Sequence, residues 1–313
     1  MEIIEVSPKE YAEIIAEPYH VFGSSGFNRL NEKKCEKVHY LLFREGKYRL
    51  GIIGGIRENT FLSPFSSPFG GFSFLSSKIR LQFIEEALSL LAQWAKEKQL
   101  HSISITLPPA IYGSSFIAKQ VNCLWRGDYR ISQVDLNYSY NLLKFDETYM
   151  DSLWYNARKN LRIALDAGLK FITCDALDEK KTAYEIIQEN RRKRGFPLRM
   201  TWQQVKDTAE IIPADFFLVK DPSDRLIASA IVFHVAPGIV QVIYWGDLPE
   251  YSAYKTMNFL SYSVFEFYSG KGIERVDIGP STEHSVPNHG LAEFKESIGC
   301  DIHPKYSFSK QIV

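Results

Sequence analysis

The residues with chemistry to offer are few and lie mostly in the second half of this 313-residue chain. Lys295 follows Phe294 in a stretch whose apolar positions, Leu291, Phe294 and Ile298, share one helical face. The lysine stands four residues after Leu291, so its stem borders that face. It is either a snorkelling surface cation or an ammonium set against developing negative charge. Arg158 and Arg162 are one helical turn apart with Lys159 between them, on the face opposite Trp154 and Leu161. Such a pair either lies in solvent or holds a phosphate by bidentate contacts. Arg191-Arg192-Lys193-Arg194 is the densest basic run, with Arg199 soon after. Cations in the last turn of a helix suit its macrodipole, but clustered in a neutral chain they also mark where a phosphorylated donor or acceptor would dock. Asp277, Glu283, His284 and His289 can each take a proton from an amine. Tyr244 and Trp245 end an apolar strand, where aromatics either fill the core or line a site.

Composition removes several classes. Lys plus Arg and Asp plus Glu are both 37, so nothing draws the whole chain to DNA or to an anionic membrane, and a polyanion site must be local. At 45% hydrophobic and 24% charged, the chain has apolar surface enough to fold. The 14% of aromatic residues suits a large core with a lined cleft. Four cysteines (Cys35, Cys123, Cys174, Cys300) stand far apart with no C-x-x-C pair, which argues against a disulfide framework or zinc. His284 and His289 lack an acidic or cysteine partner at metal spacing, so no metal is expected. The Ser/Thr-rich stretch from Ser63 to Ser73 has no G-x-S-x-G elbow. No apolar run approaches a membrane span, and the start lacks a basic, apolar leader, so a cytoplasmic protein is expected.

The elements that must position these residues follow from periodicity and turn chemistry. Residues 3–6 alternate like a strand, and Ser7-Pro8-Lys9-Glu10 reads as a capping box opening a helix to about Ala16. After an irregular stretch to Lys37, strands are expected at Val38–Phe43, Tyr48–Ile56 and about Asn59–Ser63. A long helix through Ile84, Leu91 and Trp94 follows, then a strand at Ser102–Leu107, a helix near Ile111–Leu124 and a strand across Arg130–Leu143. The second half predicts a helix marked by Leu153, Trp154, Ala157 and Leu161 and ended by Gly168, a strand Lys170–Cys174, a helix Thr182–Arg194, and a helix opened by Thr201-x-x-Gln204. Strands Phe216–Lys220, Leu226–Val235 and Ile239–Gly246 come next, then a helix Thr256–Tyr268, a strand Arg275–Gly279, a helix near Gly290–Ile298 and a last strand His303–Lys310. Both halves thus read helix, three-strand meander, long helix, strand, helix, strand. That order predicts an α+β chain of two similar units, residues 1–145 and 146–313, each a mixed antiparallel and parallel sheet flanked by helices.

A meander, a helix, then a strand parallel to the last meander strand is the order of GNAT-type acyltransferases, and two such units in tandem resemble the Fem-type peptidyltransferases and their FemAB-like relatives. Val276-Asp277-Ile278-Gly279-Pro280-Ser281, followed by Val286-Pro287-Asn288-x-Gly290-Leu291-x-x-Phe294-Lys295-x-x-x-Gly299, looks like the late Fem-type segment. Arg158-x-x-x-Arg162-x-Ala164-x-x-x-Gly168 looks like the opening helix of that family's second unit. The resemblance implies aminoacyl or acyl transfer to an amine, giving an amide, with a cell-wall precursor or another small molecule as acceptor. It implies aminoacyl-tRNA or acyl-CoA as co-substrate, with no tightly bound cofactor. It puts Lys295, with Phe294 and Asp277, at the reacting carbonyl. Arg158, Arg162, Arg194, Tyr244, Trp245 and His289 are placed around the substrates. The [Q/R]-x-x-G-x-[G/A] loop of CoA-dependent GNAT proteins is missing. Gly246-Asp247-Leu248-Pro249-Glu250 stands there, with two acids where a pyrophosphate would sit. Two other readings stay open: a CoA-dependent N-acetyltransferase acting on a small amine or amino sugar, and a non-catalytic binding module whose cleft aromatic side chains close.

Overall fold

The computed structural model describes residues 1–312. In the first half the chain runs β1 (Glu2–Glu5), α1 (Pro8–Ile14), α2 (Ser25–Leu30), β2 (Lys37–Glu45), β3 (Lys47–Arg57), β4 (Thr60–Ser63), β5 (Phe72–Phe74), α3 (Leu81–Glu97), β6 (Ser102–Thr106), α4 (Ser114–Arg126) and β7 (Arg130–Asn141). It continues as α5 (Tyr149–Ser152), α6 (Tyr155–Asp166), β8 (Lys170–Thr173), α7 (Leu177–Arg194), α8 (Trp202–Ala209), β9 (Ala214–Lys220), β10 (Leu226–Ala236) and β11 (Ile239–Asp247). The last elements are α9 (Thr256–Tyr268), β12 (Arg275–Pro280), β13 (Thr282–Glu283), β14 (Val286–Pro287), α10 (His289–Ser297) and β15 (Asp301–Gln311).

Local chemistry explains most boundaries. Glu10 Oε2 accepts from the Ser7 N–H at 2.9 Å while the Glu10 N–H donates to Ser7 Oγ at 3.2 Å, the reciprocal pair expected of a capping box. Gly46, at φ 66°, makes the tight turn between β2 and β3. Helix α7 starts five residues before the expected Thr182. Glu179 Oε2 accepts from the Asp175 and Ala176 N–H groups at 3.0 and 3.1 Å, so a carboxylate three residues in stabilises a start that has no capping side chain. Helix α6 starts after Trp154 rather than at Leu153. The short α2 and β5 fall in stretches whose sequence shows no periodicity.

The chain forms two compact units, and their membership departs from a simple cut after residue 145. Unit 1 holds Met1–Leu136, Thr282–Val286 and the residues from His303 onward; unit 2 holds Asn137–Ser281 and Pro287–Ile302. In unit 1 the strand order is β1-β2-β3-β4-β6-β15, with β5 beside β3. Strands β4 and β6 are parallel, and β6 is then covered by β15, antiparallel from Ser307↔Thr106 to Gln311↔Ser102. In unit 2 the order is β7-β12-β11-β10-β9-β8, with β7 supplying its residues 137–141. Strands β9, β10 and β11 form the antiparallel meander, β11 and β12 are parallel, and β12 is covered by antiparallel β7. Each sheet is thus completed by a strand from the other half of the sequence. This is why the last strand, expected to close the second unit, belongs largely to the first. The fold class stands as α+β, two units of mixed antiparallel and parallel sheet with flanking helices.

In unit 1, α3 lays Ile84, Ala87, Leu88, Leu91 and Trp94 into a core shared with Phe61, Ile103, Ile105 and Phe308. Gly54 of β3 has no side chain because a Cβ there would run into the Phe61 ring. In unit 2, α7 and α9 pack on β10 and β11. Phe308 is fully buried although it comes from the C-terminal strand. Phe308→Ala should therefore cost about 3–5 kcal/mol of unfolding free energy, with amide exchange rising in β6, its pairing partner. Urea unfolding with site-resolved exchange checks this; unchanged β6 protection would show that β15 does not hold that edge.

Candidate functional site

The parallel pair of unit 2 opens within a few residues. Strands β11 and β12 are in register at Ile239↔Arg275, Val240↔Val276 and Gln241↔Asp277, where the register ends. From there β11 follows β10 to Asp247, while β12 follows β7 to Pro280. Both outer pairings carry an irregularity at this point: one between Ile231 and Val232 against β11, one between Asp277 and Gly279 against β7. Bulges bend a strand and raise its twist, so the two partners diverge. Gly279, at φ 71°, supplies a left-handed residue that a side chain would strain.

Asp277 sits at the vertex and is fully buried. Its Oδ1 accepts from Asn137 Nδ2 at 2.8 Å and from the Gly279 N–H at 2.9 Å, and its Oδ2 accepts from Gln241 Nε2 at 2.8 Å. Burying a carboxylate this deep is costly unless donors such as these close on it. It is a joint between β7, β11 and β12 rather than an exposed proton acceptor.

Lys295 corrects both of its readings, since it neither snorkels nor points a free ammonium into a cleft. It is 2% exposed. Its Nζ donates to the carbonyl oxygens of Ile278 and Gly279 at 2.9 Å each and of Pro280 at 3.0 Å. Burial pulls its pKa down to about 7, with Cys300 and Asp277 acting in the opposite direction. A neutral amine has only two N–H bonds for three acceptors, so the full set of contacts belongs to the ammonium. The Nζ also lies 5.2 Å from the centre of the Tyr138 ring, whose hydroxyl donates to Glu296 Oε1 at 3.0 Å. One residue earlier in α10, Phe294 meets Trp245 of β11 edge-to-face, ring centres 6.3 Å apart. Tyr244, one residue earlier in β11, has its pKa raised by burial, with a backbone hydrogen bond at Met200 and the charge of Arg191 acting in the opposite direction.

The basic run is largely neutralised. Arg194 donates to Asp247 Oδ1 at 2.9 Å, Lys193 meets Glu250 at 2.6 Å and Glu189 at 3.2 Å, and Arg192 meets Glu189 at 2.7 Å. Hydrogen bonds from Arg192 and Lys193 hold the Glu189 carboxyl down at about 2. Burial raises the Asp247 pKa, and Arg194 opposes it. The phosphate-docking run and the pyrophosphate-repelling acids are therefore one ion-pair network, which removes most of the argument built on either alone. Arg158 donates to the carbonyls of Asp151 and Leu153 at 2.8 and 3.3 Å, tying α5 to α6. Arg158, Lys159 and Arg162 line a shallow hollow of about 280 Å³ beside Tyr155. His289 is exposed at the first turn of α10. Glu283 and His284 belong to unit 1, where His284 Nδ1 meets Gln133 Nε2 at 3.1 Å. Sequence reasoning missed Asn137 and Gln241. The available signal was a lone amide between Val240 and Val242 in an otherwise apolar strand.

Unit 1 has the same parallel opening, and its own chain fills it. Strands β4 and β6 are in register to Ser63↔Ile105. The Gly70 N–H then donates to the Thr106 carbonyl at 2.8 Å and the Gly71 N–H to Ser63 Oγ at 3.1 Å. Phe69 is buried against His20, Phe22 and Tyr112, at ring-centre distances of 5.0, 5.2 and 4.7 Å.

This architecture is shared with solved structures of known type. FemX aligns over 99% of this chain and 97% of its own, with a TM-score of 0.71 at 12% identity. The chain has a Fem-type, GNAT-like fold. The C-terminal domain of a putative lysylphosphatidylglycerol synthetase from Agrobacterium fabrum aligns over 97% of this chain and 92% of its own, with a TM-score of 0.63 at 11% identity. A tandem GNAT protein from the clavulanic acid biosynthesis pathway aligns over 100% and 98%, with a TM-score of 0.57 at 9% identity. No family model matches the sequence, and no curated protein matches it. Among the described residues no cluster of three or more His, Cys, Asp or Glu side chains could hold a metal ion, and no helix is long and apolar enough to cross a membrane.

Lys295→Met tests the structural assignment directly. It leaves three carbonyls around the end of β12 without their donor, so at pH 6 unfolding free energy should fall by at least about 2 kcal/mol. A loss below about 0.5 kcal/mol in urea unfolding would show that the surface-lysine reading was right.

Proposed function

We propose that the chain is an acyltransferase of the Fem type, working at the β11/β12 opening of unit 2. An amine of the acceptor attacks the activated acyl carbon of an ester or thioester donor. The C–N bond forms, the C–O or C–S bond breaks, the amine loses a proton, and an amide results. The observation that carries the reading is the parting of the parallel pair at Gln241 and Asp277, together with the shared fold. Beyond Gln241, β11 has an edge without a paired strand, and backbone N–H groups on such an edge suit an acyl oxygen as it gains charge. Trp245 and Phe294 form an aromatic wall beside it. Holding both reactants there is the main catalytic contribution, since effective molarity can supply as much as about 7–11 kcal/mol. Lys295 acts as a positioning residue, because its N–H bonds are engaged by the carbonyls at the end of β12.

Aminoacyl-tRNA as donor and a cell-wall precursor as acceptor fit this reading, with Arg158, Lys159 and Arg162 offering cations beside the exposed Tyr155 ring. Asp247 and Glu250 are ion-paired and so repel a pyrophosphate less than their sequence implies, but the six-residue turn Pro249–Tyr254 still offers no glycine nest for one. Acetyl-CoA should therefore bind more weakly than roughly 0.1 mM, about −5.5 kcal/mol; a low-micromolar Kd by calorimetry would favour the N-acetyltransferase alternative. The direct test follows a labelled aminoacyl group from tRNA, and an acetyl group from acetyl-CoA, to a panel of amine acceptors. Trp245→Ala should lower kcat/KM at least about tenfold while leaving Tm within about 2 °C, because the ring is only partly buried and not part of the core. Failure to form an amide from either donor class would end the acyltransferase reading.

A further inference from the structure

The side-chain amide of Gln241 has one end in use and the other free. An ionised carboxylate only accepts hydrogen bonds, so the two amides that meet Asp277 must both turn their NH₂ groups toward it. That orients Gln241 with Nε2 on Asp277 Oδ2 at 2.8 Å and Oε1 facing away. The side chain is 4% exposed, and its Oε1 is buried without a hydrogen-bond partner. A buried carbonyl oxygen left in this way is costly and calls for a donor. Lys295 is committed to the carbonyls of Ile278, Gly279 and Pro280, and Asn137 Nδ2 to Asp277 Oδ1. The free oxygen belongs to the last residue of β11 that remains in register with β12.

Building on the acyltransferase reading, we infer that Gln241 Oε1 receives an N–H of the acyl donor, within a few bonds of the carbonyl being transferred, and so selects donors that carry one there. The carboxylate behind the amide polarises it and strengthens Oε1 as an acceptor. The site therefore favours an N–H or an ammonium and disfavours a lone-pair oxygen or an anion. Two donor classes offer that chemistry: the α-amino group of an aminoacyl ester, and the amide N–H of a pantetheine thioester.

Calorimetric titration of the full chain with three probes decides it. The probes are 3′-alanylamido-adenosine, its propionyl analogue lacking the α-amine, and acetyl-CoA. Wild type should bind the alanyl probe about tenfold or more tightly than the propionyl probe, and Gln241→Leu should bring that ratio close to one. Asn137→Ala removes a different N–H from Asp277, so it should lower Tm; a ratio that falls as far as in Gln241→Leu would show that support of the carboxylate, and not the free acceptor, sets it. Should Gln241→Leu not fold, Gln241→Asn keeps the amide, draws the oxygen back and should lose the same ratio. If the two adenosine probes bind alike while acetyl-CoA weakens about tenfold in the variant, the N–H comes from pantetheine and the assignment holds for that donor. Folded Gln241 variants that bind every probe as wild type does overturn the assignment alone. A wild type that binds none of the three overturns the acyltransferase reading and this inference with it.

Discussion

Unit 2 depends on one buried charge. The Asp277 carboxylate is out of contact with water, and donors from three neighbouring strand segments close on it, among them Asn137 of β7, Gln241 of β11 and the Gly279 N–H of β12. Losing any donor leaves a charge in a medium that solvates it poorly, so the three segments must meet at this point and in this register. Beyond it, nothing comparable joins β11 to β12, and the bulges on either side turn them apart. Lys295 extends the same logic by one step. Its ammonium gathers three successive carbonyls at the end of β12, just past the irregularity in its pairing with β7. Joint and opening are one construction. The strands part cleanly because they are pinned just before they part.

The fold was legible in the sequence because most of its determinants are local. The Ser7/Glu10 and Thr201/Gln204 capping boxes, the period of α3 and the meander turns each involve residues a few positions apart. What was not legible depends on long-range pairing. Nothing within residues 301–311 says that this strand will cover β6, some 200 positions earlier, because an antiparallel strand's pattern records its buried face and not its partner. The same holds for β7, whose residues 137–141 complete the other sheet.

The site was legible as a set of residues and illegible as an arrangement. Arg194 and Asp247 are 53 positions apart, and read separately one attracts a phosphate while the other repels it. Together they cancel, as do Lys193 and Glu250. Spacing shows which cations share a helix turn. It does not show which acids the fold brings across to them. Lys295 shows the same limit with burial. Its position beside an apolar face suits a snorkelling lysine, and only the three converging carbonyls explain why the charge itself goes inside.

The two units also show why one backbone can be structural in one place and suited to chemistry in another. Both have a parallel pair that opens after a short register, β4 with β6 and β11 with β12. In unit 1 the segment after Ser63 returns a backbone N–H to Thr106 and buries Phe69, so the edge has its hydrogen bond and the space has its side chain. In unit 2 the segment after Asp247 instead leaves the sheet as the turn Pro249–Tyr254 and enters α9 through Lys255, which takes a left-handed conformation at φ 55°. Its acids pair with α7 rather than returning to β12. Satisfied polar groups and filled volume are what a stable core requires, and they leave nothing for a ligand to add. Both units bury unpartnered polar atoms, Gln241 Oε1 in unit 2 and His20 Nε2 and Gln120 Nε2 in unit 1, so these atoms alone do not distinguish the two openings. What separates the two openings is the segment after the first strand of each pair, which returns to β6 in unit 1 and turns away in unit 2, and the proposed acyl transfer is placed in unit 2 on that ground.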